Sequence, residues 1–326
     1  MPLSELSRLT NAIRSDSPLS YSAIPAHRPP LSVETSNSQR KGVALITSAS
    51  LSFALMTLAA RMLSPQYTSA QILQYSGLTQ TLIALLSCLL YRIHPFHVSG
   101  SWEETQRWLV ISVCAQSLAY LLYYTAVARS SMGMASALFA TNCVAAMLLD
   151  TWIRGTGISQ NKRKISAVCL VGIVLALLPN SLLLLVGGIH KGRGLALTAA
   201  LFMALAHQAS SRATGTRHPL VHIVHFGLAS SVLGLLSSLH KGDLGRLPAT
   251  AADAGALVGV GAMAFLSQML MTRGLQLTNS VAGAVAGASN VIFCFVMDAV
   301  LNCTFPSVLG AAGALAIMYS ATSLNT

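Results

Sequence analysis

From residue 42 onward the chain alternates between apolar stretches about twenty residues long and short polar interruptions. At 1.5 Å per residue a stretch of that length spans about 30 Å, the thickness of a bilayer's hydrocarbon core. The pattern predicts spans near 42–62, 69–91, 107–127, 131–151, 165–186, 194–213, 219–239, 252–272, 279–300 and 305–324. Lipid offers no partner to an unpaired backbone group, so each span is expected to be an α-helix. Pro65, Pro95, Pro219, Pro248 and Pro306 fall at the boundaries. Pro179 lies inside the fifth span and is expected to kink it or end it early. Residues 1–41, rich in Ser, Pro and Arg, have no periodic apolar face and read as a disordered, water-exposed tail. That tail holds no apolar signal segment, so the first span is expected to act as its own insertion signal.

The chain also resembles itself. Residues 124–150 read YTAVARSSMGMASALFATNCVAAMLLD and residues 272–298 read TRGLQLTNSVAGAVAGASNVIFCFVMD. Without a gap, Ser130 meets Thr278, Thr141 meets Ser289, Asn142 meets Asn290 and Asp150 meets Asp298. Lys41-Gly42-Val43-Ala44-Leu45 similarly matches Arg193-Gly194-Leu195-Ala196-Leu197, and Gly172 matches Gly313. Each repeat holds five spans, an odd number, so the two must insert in opposite orientations. The expected fold is therefore all-α integral membrane, ten transmembrane helices as two inverted five-helix repeats. The divisions are 1–41 for the tail, 42–187 for the first repeat and 188–326 for the second.

Composition agrees with the pattern. Hydrophobic residues make up 53% of the chain and charged residues 9%, and the mean hydropathy is +0.63. A soluble domain spends about a quarter of its residues on charge. The net charge of +11 comes from basic residues spread thinly between spans, with no basic patch interleaved with aromatics, which argues against nucleic acid. With the tail cytoplasmic, fourteen Lys and Arg fall on the cytoplasmic face and six on the other, so both termini are expected in the cytoplasm. The six cysteines lie mostly in apolar runs without CxxC spacing and demand no disulfide.

With its ten-span plan, its Lys/Arg-Gly-apolar openings of spans one and six, and the segments Tyr124–Asp150 and Thr272–Asp298, the chain resembles the drug/metabolite transporter superfamily in its EamA-type branch. The solute-carrier nucleotide-sugar transporters share the plan. The resemblance implies a secondary transporter that moves a small metabolite by alternating access, driven by a proton gradient or by exchange. It implies no enzyme activity and no cofactor. A Golgi or endoplasmic-reticulum nucleotide-sugar exchanger is the alternative of the same class. The sequence leaves open whether the membrane is the plasma membrane or an internal one.

Polar side chains inside lipid-facing helices are costly, so they mark the bundle interior. Asn142 and Asn290 are the leading substrate-binding candidates, joined by His207, Gln116, Tyr123, Tyr124, Arg129 and Arg273. Asp150 and Asp298 are expected to act in coupling or as helix-end acids. His218, His222 and His225 share one helical face and raise the competing idea of an integral membrane metalloenzyme. No carboxylate or cysteine is placed in sequence to complete that site, and no metal is expected. The expected partners are a small-molecule substrate and the lipid bilayer, with a homodimer allowed and no nucleic acid.

Overall fold

A computed structural model describes residues 33–95, 102–154, 159–187, 191–213, 219–240, 242, 248, 250–278, 286–287, 289–302 and 308–323, and among these the chain is helical with no strand. Its helices are α1 (Val33–Leu63), α2 (Ser69–Leu90), α3 (Trp102–Arg129), α4 (Met132–Phe139), α5 (Asn142–Arg154) and α6 (Gln160–Gly187). They are followed by α7 (Lys191–Ala213), α8 (Pro219–His240), α9 (Ala251–Leu277), α10 (Asn290–Asn302) and α11 (Val308–Ser323). Among the described residues, five helical stretches are long and apolar enough to cross a membrane: Ser38–Leu63, Ser69–Leu90, Gln106–Arg129, Pro219–His240 and Ala251–Gly274.

Local chemistry sets the helix starts. Thr68 caps α2 reciprocally: its hydroxyl accepts from the Gln71 N–H, and the Gln71 carboxamide accepts from the Thr68 N–H at 2.9 Å. Ser131 caps α4 through Met134, and Thr250 caps α9 through Asp253.

Three expectations need correction. Helix α1 begins at Val33, inside the segment read as tail, while residues 1–32 lie outside the described residues. A helix satisfies its own backbone in water as well as in lipid, so it can outrun the apolar stretch that betrays it. Of the two outcomes expected at Pro179, the early end does not occur: helix α6 runs through it. The fourth span is two helices, α4 and α5, broken at Ala140 and Thr141. There the Thr141 hydroxyl donates to the Leu138 carbonyl at 2.7 Å, competing with the helix's own ladder. The ladder resumes when the Val144 and Ala145 N–H groups donate to the Thr141 carbonyl. Ahead of α10 the same device recurs. Ser289 donates to the Ala286 carbonyl at 2.7 Å, and the Ile292 and Phe293 N–H groups donate to the Ser289 carbonyl.

Packing joins the front of the chain to its back. The most extensive contacts are α3 with α7, α1 with α9, α2 with α8, and α6 with α11. Helix α5 also packs on α7, α10 on α1, and α4 on α10. The α2–α8 contact is nearly backbone to backbone. A Cβ added at Gly77 would lie 2.8 Å from the Gly227 carbonyl oxygen, and one at Gly227 would lie 3.0 Å from the Gly77 oxygen. Thr81 and Ser231 turn their hydroxyls back onto the carbonyls of Gly77 and Gly227, each at 2.8 Å. This hides the polar groups and lets the helices close. Leucines 78, 82, 86 and 89 on α2 are exposed at helical spacing, an apolar outer face suited to lipid.

Candidate functional site

A chamber opens where α1, α3, α4, α7, α9 and the starts of α5 and α10 converge. Asn142 and Asn290 both line it, each as the first residue of a helix that restarts after a break. The hydroxyl-built interruptions at Thr141 and Ser289 thus bring two matched amides and two helix N-termini to one space. A helix N-terminus carries unpaired N–H groups and a partial positive charge, which favours hydrogen-bond acceptors. About 60 Å³ of the chamber is open to water-sized groups. That is room for a few waters rather than a metabolite, whose sites run to about 300 Å³ or more. The conformation is contracted around its centre.

Gln116 reaches across the chamber. Its Nε2 donates to Gln268 Oε1 at 2.8 Å, and Gln268 Nε2 donates to the Tyr120 hydroxyl at 2.6 Å. This chain ties α3 to α9, and all three residues line the chamber. Gln116 and Gln268 stand 152 positions apart, as do Lys41 and Arg193 at the openings of the two repeats. Leucine at either glutamine is expected to destabilise the protein, and the double variant by less than the sum. A coupling near 0.6 kcal/mol, the average for such membrane hydrogen bonds, should emerge from a thermal-unfolding cycle.

Aromatic rings close one side of the chamber. Phe53 meets Tyr120 edge to face with ring centres 5.5 Å apart and stacks on Phe139 at 6.0 Å. Tyr123 packs against Phe139 at 4.7 Å. Tyr123 and Tyr124 do not line the space; they stand behind it. The Tyr123 hydroxyl bonds Ser136 at 2.6 Å, and the Tyr124 hydroxyl donates to the Met56 sulfur. His207 lines the chamber and is 8% exposed. Its Nδ1 is buried without a hydrogen-bond partner among the described residues.

The remaining candidates lie elsewhere. Arg129 is exposed at the end of α3, and Arg273 is half-buried on α9; neither lines the chamber. Asp298 accepts from the Gly133 N–H at 2.7 Å, which puts its carboxylate on the N-terminus of α4. Asp150 lies on α5, and its side chain is outside what the structure describes. Of the histidine stripe, His218 lies outside the described residues. His222 Nε2 bonds the Ser112 hydroxyl at 3.1 Å and His225 Nδ1 bonds the Val221 carbonyl at 2.8 Å, which ties them into helix packing. Among the described residues no group of His, Cys, Asp or Glu is placed to hold a metal ion.

Sequence reasoning found Asn142, Asn290, His207 and Gln116, but missed Gln268, Tyr120, Phe53 and Phe139. Gln268 had a signal: the 152-residue register of the repeat openings, applied to Gln116, lands on it. The aromatics had none, since a ring in an apolar run reads as packing.

Residues 40–178 match the EamA-like transporter family. Comparison with curated proteins returned no match. A solved crystal structure of a protein overlays 89% of this chain and 96% of its own length with a TM-score of 0.65 at 14% identity. At that identity the likeness concerns the fold.

Proposed function

We propose, from the match of residues 40–178 of this multi-pass membrane protein to the EamA-like transporter family, that it moves a small solute by alternating access about the chamber between Asn142 and Asn290. Ten spans form two inverted repeats with both termini cytoplasmic, and a proton gradient or exchange drives the cycle.

The observation that carries this reading is the meeting of residues matched between the two repeats. Asn142 and Asn290 line one chamber, and Gln116 bonds Gln268 across it. Gly172 lies so close to its match Gly313 that an added Cβ would sit 2.8 Å from its carbonyl oxygen. Counting α4 with α5 as the fourth span, exchange of spans five positions apart turns the α3–α7 contact into α9–α1 and the α5–α7 contact into α10–α1, both observed. It returns α2–α8 and α6–α11 to themselves. Such self-matching contacts support an internal two-fold axis, on which an alternating-access site belongs.

In proteoliposomes loaded with unlabelled metabolite extract, solutes from a ¹³C-labelled extract are expected to accumulate beyond empty vesicles. The double Asn142→Ala, Asn290→Ala variant should cut this by about tenfold, as loss of hydrogen bonds that orient a solute does, while its melting midpoint stays near that of wild type. No accumulation by wild type would sink the transport reading. Undiminished accumulation by the variant would return both asparagines to helix packing.

A further inference from the structure

Resting on the transport reading, we propose that the chamber selects a solute without net charge that combines hydrogen-bonding groups with a flat or apolar face. The amides of Gln116, Gln268, Asn142 and Asn290, the His207 imidazole and several hydroxyls make up its polar lining. No Lys, Arg, Asp or Glu lines it among the described residues. The neighbouring positions 279–285 and 288 carry no charged residue type either. The nearby cations are engaged or placed elsewhere. Arg61 donates to the carbonyls of Val127 and Ser130, Arg129 is exposed, and Arg273 does not line the space.

A buried charge is tolerated only where it is paired. A phosphate or diphosphate leaving water for this chamber would find amide dipoles and two helix N-termini, whose partial charge fades within a turn. That suits the carbonyl or hydroxyl oxygens of a neutral solute and does not neutralise a dianion. His207 adds a positive requirement. Its buried Nδ1 lacks a partner among the described residues, so the resting chamber holds an unmade hydrogen bond that an occupant can complete once the imidazole turns toward it. Beside these polar groups, Phe53, Tyr120 and Phe139 line the same space with ring faces and edges. Neutral heterocycles and neutral sugars share the chemistry that fits. Nucleotide sugars and sugar phosphates do not.

The test uses the full chain in proteoliposomes, with unlabelled extract inside, ¹³C-labelled extract outside, and mass spectrometry of what enters. The labelled solutes that enter wild type are expected to be neutral, favoured by about tenfold over their phosphorylated or carboxylated counterparts, because the counterparts lose hydration without gaining an ion pair. His207→Arg should turn the preference toward anions. If that variant does not purify as a monodisperse species, Gln116→Lys makes the same test from the facing helix. Entry of phosphates or carboxylates into wild-type vesicles as readily as of their neutral counterparts overturns the charge assignment and leaves transport standing. A folded His207→Arg or Gln116→Lys variant with an unchanged solute profile overturns the chamber as the selecting element. No entry beyond empty vesicles overturns the transport reading, and this assignment with it.

Discussion

Valine in place of Gly227 is expected to destabilise the protein by about 3 kcal/mol, the upper end of ordinary overpacking. Lipid tails are as apolar as leucine, so no hydrophobic gain holds α2 against α8; close backbone packing does that work. At Gly227 even a single Cβ would meet the Thr81 hydroxyl and lie 3.0 Å from the Gly77 carbonyl oxygen and 3.1 Å from the Thr81 nitrogen. Neither backbone atom can retreat without moving α2, and the Thr81 hydroxyl is held on the Gly77 carbonyl. Valine adds two further methyl groups to that contact, so the helices must separate. Thermal unfolding in detergent or nanodiscs checks this, with Gly227→Ala expected to fall between valine and wild type. Leu82→Val on the exposed face of α2 should melt like wild type, since Leu82 is 66% exposed. A Gly227→Val protein that melts with the Leu82→Val control would mean that α2 and α8 do not approach as described.

The same contact shows what the sequence makes legible. Span length and low charge predict helices in a membrane, because bilayer thickness and the cost of bare backbone leave few other solutions. Matching Asn142 to Asn290 predicts that both face one interior, and both line the chamber. Less legible was the break in the fourth span. Hydropathy averages over a window, whereas the break depends on where one hydroxyl, that of Thr141, finds one carbonyl. The match of Thr141 with Ser289 was visible in the register, but its consequence was not, since most such hydroxyls turn back onto an unbroken helix. Thr81 and Ser231 do so. Tyr123 and Tyr124 seemed as good as any polar aromatic on α3. Position along the helix decides instead: all four lie on one side of α3, but Gln116 and Tyr120 are level with the chamber, and Tyr123 and Tyr124, further along, bond Ser136 and Met56.

Alanine at Asp298 is expected to cost about 2 kcal/mol, the range for a hydrogen bond to a charged group. Asp298, on α10, accepts from the Gly133 N–H at 2.7 Å at the start of α4. A carboxylate there satisfies an orphan donor and meets the positive end of the helix. Water cannot easily replace it. Phe295 packs at the same point, close enough that a Cβ on Gly133 would sit 2.7 Å from its ring, and Arg61 fastens α1 to the carbonyls of Val127 and Ser130 just ahead of α4. The corner therefore joins α1, α3, α4 and α10, with the Asp298 carboxylate fastening α10 to the start of α4. Asp298→Asn keeps an acceptor oxygen in the same place and loses only the charge, so it should retain about half of the contribution, charge-assisted bonds being roughly twice as strong as neutral ones. Melting midpoints ordered wild type, asparagine, alanine would establish a cap. Asparagine as damaging as alanine would instead assign the stabilisation to the charge and its attraction to Arg61. Equal midpoints for all three would mean that Asp298 does not hold the start of α4, leaving it free for coupling.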